Sequence, residues 1–205
     1  MKTQTKYLLT LQTLAAVLFV GCAGPARYVN PNNGQGITTV GEINSQDWSQ
    51  CAEKMISSLL RSPALESTDG RRMVIMIGEV KNSTREYIDT DLLLKKIRIA
   101  LNQSGKVITT TAVRVGGPED SSSLTVRELR KSKEFDQSTV PGQGSMIAPD
   151  YSISGKIIET PVRAGNIRQS TFSFQLTLTE VRSGLAPWED EMEITKLGKR
   201  PAVSW

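Results

Sequence analysis

Gly78–Thr111 reads GEVKNSTREYIDTDLLLKKIRIALNQSGKVITTT, and here a polar loop, a capped helix and a strand follow one another in plain order. Ahead of it, Arg72-Met-Val-Ile-Met-Ile77 is a short apolar run that stops at Gly78 and suits a strand buried on both faces. Thr90 or Asp89 can accept hydrogen bonds from the free amides of the next turn, and Leu93, Leu94, Ile97, Ala100 and Leu101 then recur at helical spacing. Gly105 follows the last apolar position, where a left-handed residue closes a helix, and Val107–Val113 is β-branched enough to be the next strand. A strand-helix-strand unit of this kind predicts parallel neighbours joined by a right-handed crossover.

Working outward, Trp48, Cys51, Ala52, Met55, Ile56, Leu59 and Leu60 form one stripe of a helix that begins at Ser45 and ends at Ser62-Pro63, since proline disfavours helix in the residue before it. The stripe is a core face rather than a cofactor box, and Cys51 within it is a small buried apolar residue. Downstream, Thr125-x-x-Glu128 offers a capping box, with Leu124 and Leu129 as a staple, for a third helix reaching Phe135. Asp136–Pro149 is a long loop, Tyr151–Glu159 a strand, and Thr160–Asn166 a turn or loop carrying Arg163. Phe172, Phe174, Leu176 and Leu178 alternate with polar residues as a half-buried antiparallel strand, Arg182-Ser183-Gly184 turns the chain, and Trp188–Thr195 pairs back behind Pro187. Lys196–Trp205 is a basic tail whose final Trp205 docks on the domain. The fold class is α/β (α+β): a mixed sheet flanked by helices.

The first residues, 1–21, form a signal peptide, with Lys2 and Lys6 before an apolar run from Tyr7 to Val20. That run falls short of the roughly 20 residues of a membrane-spanning helix. Phe19-Val20-Gly21-Cys22 resembles a bacterial lipobox, in which Cys22 receives lipid, although leucine stands at Leu18 where the pattern wants it one later. Residues 22–44 are the lipidated cysteine and a tether rich in Gly, Pro and Asn, with Ile37–Val40 a possible edge strand. As a coil this tether spans on the order of 26 Å, against about 75 Å fully extended. Residues 45–205 are then one globular domain.

The formal charge is +4, and removal of Lys2 and Lys6 leaves about +2, spread without a basic stripe, which argues against a nucleic-acid partner. There is no histidine and, beside Cys22, only one other cysteine, Cys51. Ser-His-Asp and Cys-His catalysis, His-based metal sites, disulfides and paired-cysteine redox centres are therefore excluded. No serine is followed three residues later by lysine, so the chain is not itself a penicillin-binding enzyme. Glu189-Asp190-Glu191 is the one candidate for a pair of glycosidase carboxylates, but consecutive strand residues alternate faces and do not converge on one bond. The expectation is no enzyme and no cofactor.

The runs NSTREYIDTDLLLKKIRIALNQSGKV, GPEDSSSLTVRELR, APDYSISGKII, FSFQLTLTEVRSGLAPWEDE and the closing AVSW resemble, in order and spacing from about Thr38 to Trp205, the LpoB family of outer-membrane lipoproteins. The resemblance implies a fold similar to the N-terminal domain of TolB, and a lipid anchor at Cys22 on the periplasmic side of the outer membrane. It also implies activation of a class A penicillin-binding protein, the partner of the family, by a monomeric domain that stimulates peptidoglycan synthesis. The long Pro-rich tether of such proteins is missing here. A scaffold role like that of TolB is the alternative reading, and glycan cleavage the second. For the partner surface the residue types of interface hot spots select Arg85, Tyr87, Arg163 and Arg168, all placed by the sequence in loops.

Overall fold

The computed structural model describes residues 26, 28–30, 33, 37–66, 70–114 and 120–199. The chain divides after Asn30 into two compact units, and every described helix and strand belongs to the second, Pro31–Trp205. In order these are α1 (Ser45–Arg61), a short 3-10 turn (Pro63–Leu65), β1 (Met73–Ser83), α2 (Asp91–Gln103), β2 (Val107–Thr110), α3 (Ser122–Leu129), β3 (Tyr151–Ala164), β4 (Ile167–Glu180) and β5 (Trp188–Lys199). The five strands form one sheet in the order β2-β1-β3-β4-β5. β1 runs parallel to both β2 and β3, while β3, β4 and β5 are antiparallel, so the sheet is mixed as the pattern predicts.

One face of the sheet is dry because two apolar stripes cover it. Trp48, Cys51, Met55, Ile56 and Leu59 of α1 and Leu93, Leu94, Ile97 and Leu101 of α2 are buried in one cluster with Ile75, Ile77, Ile153, Ile157, Phe172, Phe174, Leu176 and Leu178. Each large side chain of this kind contributes roughly 1.5–3 kcal/mol by leaving water. Cys51 has no exposed surface, and burial pushes its thiol up to about 12, which makes it packing rather than a nucleophile. The helix starts where Asn44 Oδ1 accepts from the amides of Gln46 and Asp47, and Asp47 returns the bond to the Asn44 amide at 2.7 Å. It stops at Ser62, which turns to extended backbone (φ −70°, ψ 141°) before Pro63. For α2 the capping oxygen is that of Asp89, which accepts from the Asp91 amide at 3.0 Å; Thr90 makes no side-chain cap.

Several expected boundaries move. β1 does not end at Gly78 but continues to Ser83, because Gly78 and Glu79 together oppose a single residue of β3 and form a bulge. Ile77 pairs with Ile153 and Val80 with Gly155, so Ile75, Ile77 and Val80 all face the helices although they break strict alternation. A side chain at Gly78 would meet the Ile153 carbonyl oxygen at 2.8 Å, so the bulge needs glycine there. β2 ends at Thr110, short of Val113. The third helix begins at Ser122 and stops at Leu129, without the expected Thr125 capping box and with no buried residue. Asp120 starts its turn early, through Oδ1 to the Ser122 amide and its carbonyl to Ser123 Oγ, both at 2.9 Å. Ile37–Val40 forms no strand, and β5 extends four residues into the expected basic tail. Trp205 lies outside the described residues.

At the other end of β3, Asp150 accepts a two-pronged bond from Arg71 (2.8 and 2.7 Å) and a third from the Val74 amide (2.8 Å). The Arg71 hydrogen bonds first, and then the Val74 amide, hold its carboxyl below the usual aspartate range. A lowered folded-state value means stability that is present above the ordinary aspartate value of 3.8 and lost as pH falls through the lower, folded one. Asp150→Asn should cost about 2 kcal/mol at neutral pH, with the gap from wild type narrowing on acidification below 3.8. Urea unfolding of both chains across that range reads this, and a gap of constant size would show that the charge carries none of it.

Candidate functional site

β3 and β4 outrun β1. β1 ends opposite Ile158, and past that point the β3–β4 ribbon continues for six residues of β3 to a two-residue turn at Gly165-Asn166. Gly165 takes φ 55°, as the first central residue of a tight hairpin turn often does. Pro161 sits on this projecting part, where one side of β3 has no neighbouring strand. Thr160–Asn166 is therefore not a loop: Arg163 and Arg168 stand on strands, directly opposite one another in the ladder. Both belong to the helix-side face, together with Glu159 and Ser170.

The β1–α2 loop supplies the facing wall. Asn82 ties it, donating to the Glu86 carbonyl at 2.8 Å and accepting from the Thr84 amide at 2.9 Å. The Arg85 amide donates to Glu159 Oε2 at 3.3 Å, and Ser170 Oγ donates to Glu159 Oε1 at 2.9 Å, so one carboxylate joins loop and ribbon. Arg85, Arg163 and Arg168 consequently line a single groove of about 170 Å³, shared with Glu86, Glu159, Ser170, Val40 and Gly41. Tyr87 is brought close but not in. It is exposed and borders the next cleft, of about 280 Å³, with Ile43, Trp48, Ile88 and Leu92; Glu86 belongs to both.

Sequence reasoning missed the part of the site contributed by the segment read as tether. Glu42 is fastened to the domain through Lys196 of β5, whose Nζ donates to the Glu42 carbonyl at 2.6 Å and pairs at 2.5 Å with Asp47, the acceptor of the Asn44 amide. Val40 lies so close to β5 that a side chain at Gly198 would meet its Cγ2 at 2.6 Å. The signal that could have found this was Asn44-x-x-Asp47, a capping pair that marks where a chain stops being linker. Cys22 lies outside the described residues.

Glu189 and Glu191 stand together on the open face and Asp190 on the other, as alternation requires. Glu189 accepts from Thr177 at 3.1 Å, and Glu191 from Ser173 and from Gln175 at 3.2 Å. Hydrogen bonds from Ser173 and then Gln175 lower the Glu191 carboxyl, whereas a glycosidase acid has to be raised. Among the described residues no three metal-ligating side chains gather.

The sequence model of the family described as peptidoglycan-synthase activator LpoB matches residues 47–194. The chain belongs to this family. The LpoB match takes in Arg85, Tyr87, Arg163 and Arg168 and stops short of Cys22. Among solved structures, the LpoB C-terminal domain from Escherichia coli is 15% identical, covering 72% of this chain and 98% of that one at a TM-score of 0.43. The same domain from Salmonella enterica is 15% identical, with coverage of 72% and 98% and a TM-score of 0.42. A lipoprotein from Neisseria meningitidis is 12% identical, with coverage of 60% and 83% and a TM-score of 0.36. No curated protein matches the chain.

Proposed function

We propose that this chain is a regulator of peptidoglycan synthesis, anchored by lipid on Cys22 to the periplasmic side of the outer membrane, whose domain binds and activates a bifunctional class A penicillin-binding protein. Membership of the LpoB family over residues 47–194 is the observation that carries this reading. No group of the domain needs to touch substrate. A regulator that binds the active form of a two-state synthase more tightly than the inactive form raises activity by at most that affinity ratio. The groove of Arg85, Arg163 and Arg168, with exposed Tyr87 beside it, is the proposed contact surface, since these side chains line an open groove on paired strands and a tied loop.

Two measurements test the proposal. The full chain is added to a class A synthase with lipid-linked precursor, and glycan polymerisation and cross-linking are followed; unchanged rates at saturating chain refute activation. Alanine at Arg85, Tyr87, Arg163 and Arg168 together should cost at least about 2 kcal/mol of partner affinity, roughly 30-fold in Kd. Full affinity in a variant of unchanged fold would move the contact elsewhere. The anchor is read separately, from the intact mass of membrane-extracted protein, which should begin at Cys22 and carry acyl chains, palmitate among them. A mass that includes Met1 would remove it.

A further inference from the structure

Arg163 and Arg168 occupy opposed positions of an antiparallel ladder on one face, which sets their Cβ atoms about 4.5–5.5 Å apart. Like charges so placed repel, and the usual remedy is a carboxylate between or beside them. Here no such pair forms: among the described residues neither guanidinium makes a hydrogen bond or ion pair, and nor does that of Arg85 across the groove. Glu159 lies on the same face but pairs with neither: its oxygens accept from Ser170 Oγ and the Arg85 amide. We propose that the groove is a receptor for one carboxylate, presented by an acidic side chain of the protein partner. The occupant rests on the activator reading above; the receptor does not.

Charge and size choose the ligand. The groove lining holds three guanidiniums against Glu86 and Glu159, leaving one uncompensated positive charge, which matches a monoanionic carboxylate better than a phosphate of higher charge. About 170 Å³ accommodates a carboxyl group and a few waters of about 30 Å³ each. Arginine forks bind a planar carboxylate through two parallel bonds, and two forks held on paired strands lose little freedom in doing so.

The test follows the arginine Nε–H signals of the full chain by NMR, with sodium acetate as probe against sodium chloride at matched ionic strength. Arg85, Arg163 and Arg168 should shift with acetate along one saturating curve, while Arg61 and Arg130 do not. Arg163→Gln with Arg168→Gln should abolish the Arg85 response and weaken the synthase about tenfold or more. Glu86→Gln removes a negative wall and should tighten acetate about threefold, a gain that misfolding cannot mimic. Shifts equal in acetate and chloride overturn the receptor, even if the chain stimulates the synthase. A saturable acetate response without any stimulation overturns the activator reading, and the occupant with it. If the double variant keeps full synthase affinity, or if vesicles of phosphatidylglycerol shift the same three signals and the synthase does not, the carboxylate of a protein partner is the wrong occupant.

Discussion

Asp47→Ala is expected to destabilise the domain by about 3–5 kcal/mol, read by urea unfolding at neutral pH. Asp47 and Lys196 form an ion pair at 2.5 Å with side chains only 10% and 7% exposed. Removing the carboxylate leaves a buried ammonium with, among the described residues, a single acceptor, the Glu42 carbonyl, and also strips the Asn44 amide of its capping bond. Most of the loss is the cost of that stranded charge, not the worth of the pair. Combining Asp47→Ala with Lys196→Met should therefore recover a large part of it. A single variant within about 1 kcal/mol of wild type would mean that water reaches Lys196 freely.

Phe174→Ala should cost a comparable amount, about 3–5 kcal/mol, for an unrelated reason. Phe174 is 1% exposed at the centre of β4, between Ile157 and Met192 on the flanking strands, and packs T-shaped with Trp48, ring centres 5.7 Å apart at 75°. The missing ring leaves a cavity that α1 cannot close without losing its own register on the sheet, so transfer and cavity terms add. Phe135, half exposed, is the control, and Phe135→Ala should stay within about 0.5 kcal/mol. Equal losses at the two positions would deny that β4 anchors the core.

What could be read from the sequence was whatever burial had written into it. The stripe from Trp48 to Leu59 and the alternation of Phe172–Leu178 both exist because one side of each element is dry, and both elements lie where periodicity places them. The ends of β3 and β4 carry no such trace. Val162, Arg163, Ile167 and Arg168 pair through backbone hydrogen bonds past the end of β1, where no apolar stripe packs on the ribbon and no residue type is demanded. Thr160-Pro161 then looks like a turn. The same holds for Val80–Ser83, which polar neighbours disguise as loop. Residue type and a loop-like context point to Arg85, Arg163 and Arg168; that they face one another is a fact of register and of a Glu159 bridge spanning 74 residues, neither of which has a local signature. Lys196 misleads for the opposite reason: a lysine is ordinarily solvated, yet this one is buried against Asp47.

The bulge at Gly78-Glu79 makes β1 indifferent to its own length at one point. Ile75 and Ile77 lie inward before it and Val80 inward after it, with two residues set against one on β3. A chain lacking either of the two would run as a regular strand and still present the same three side chains to the helices, whereas a deletion anywhere else in β1 would exchange its faces. Deleting Gly78 or Glu79 should therefore leave the packing of β1 against the helices intact, whereas deleting Met76 should not.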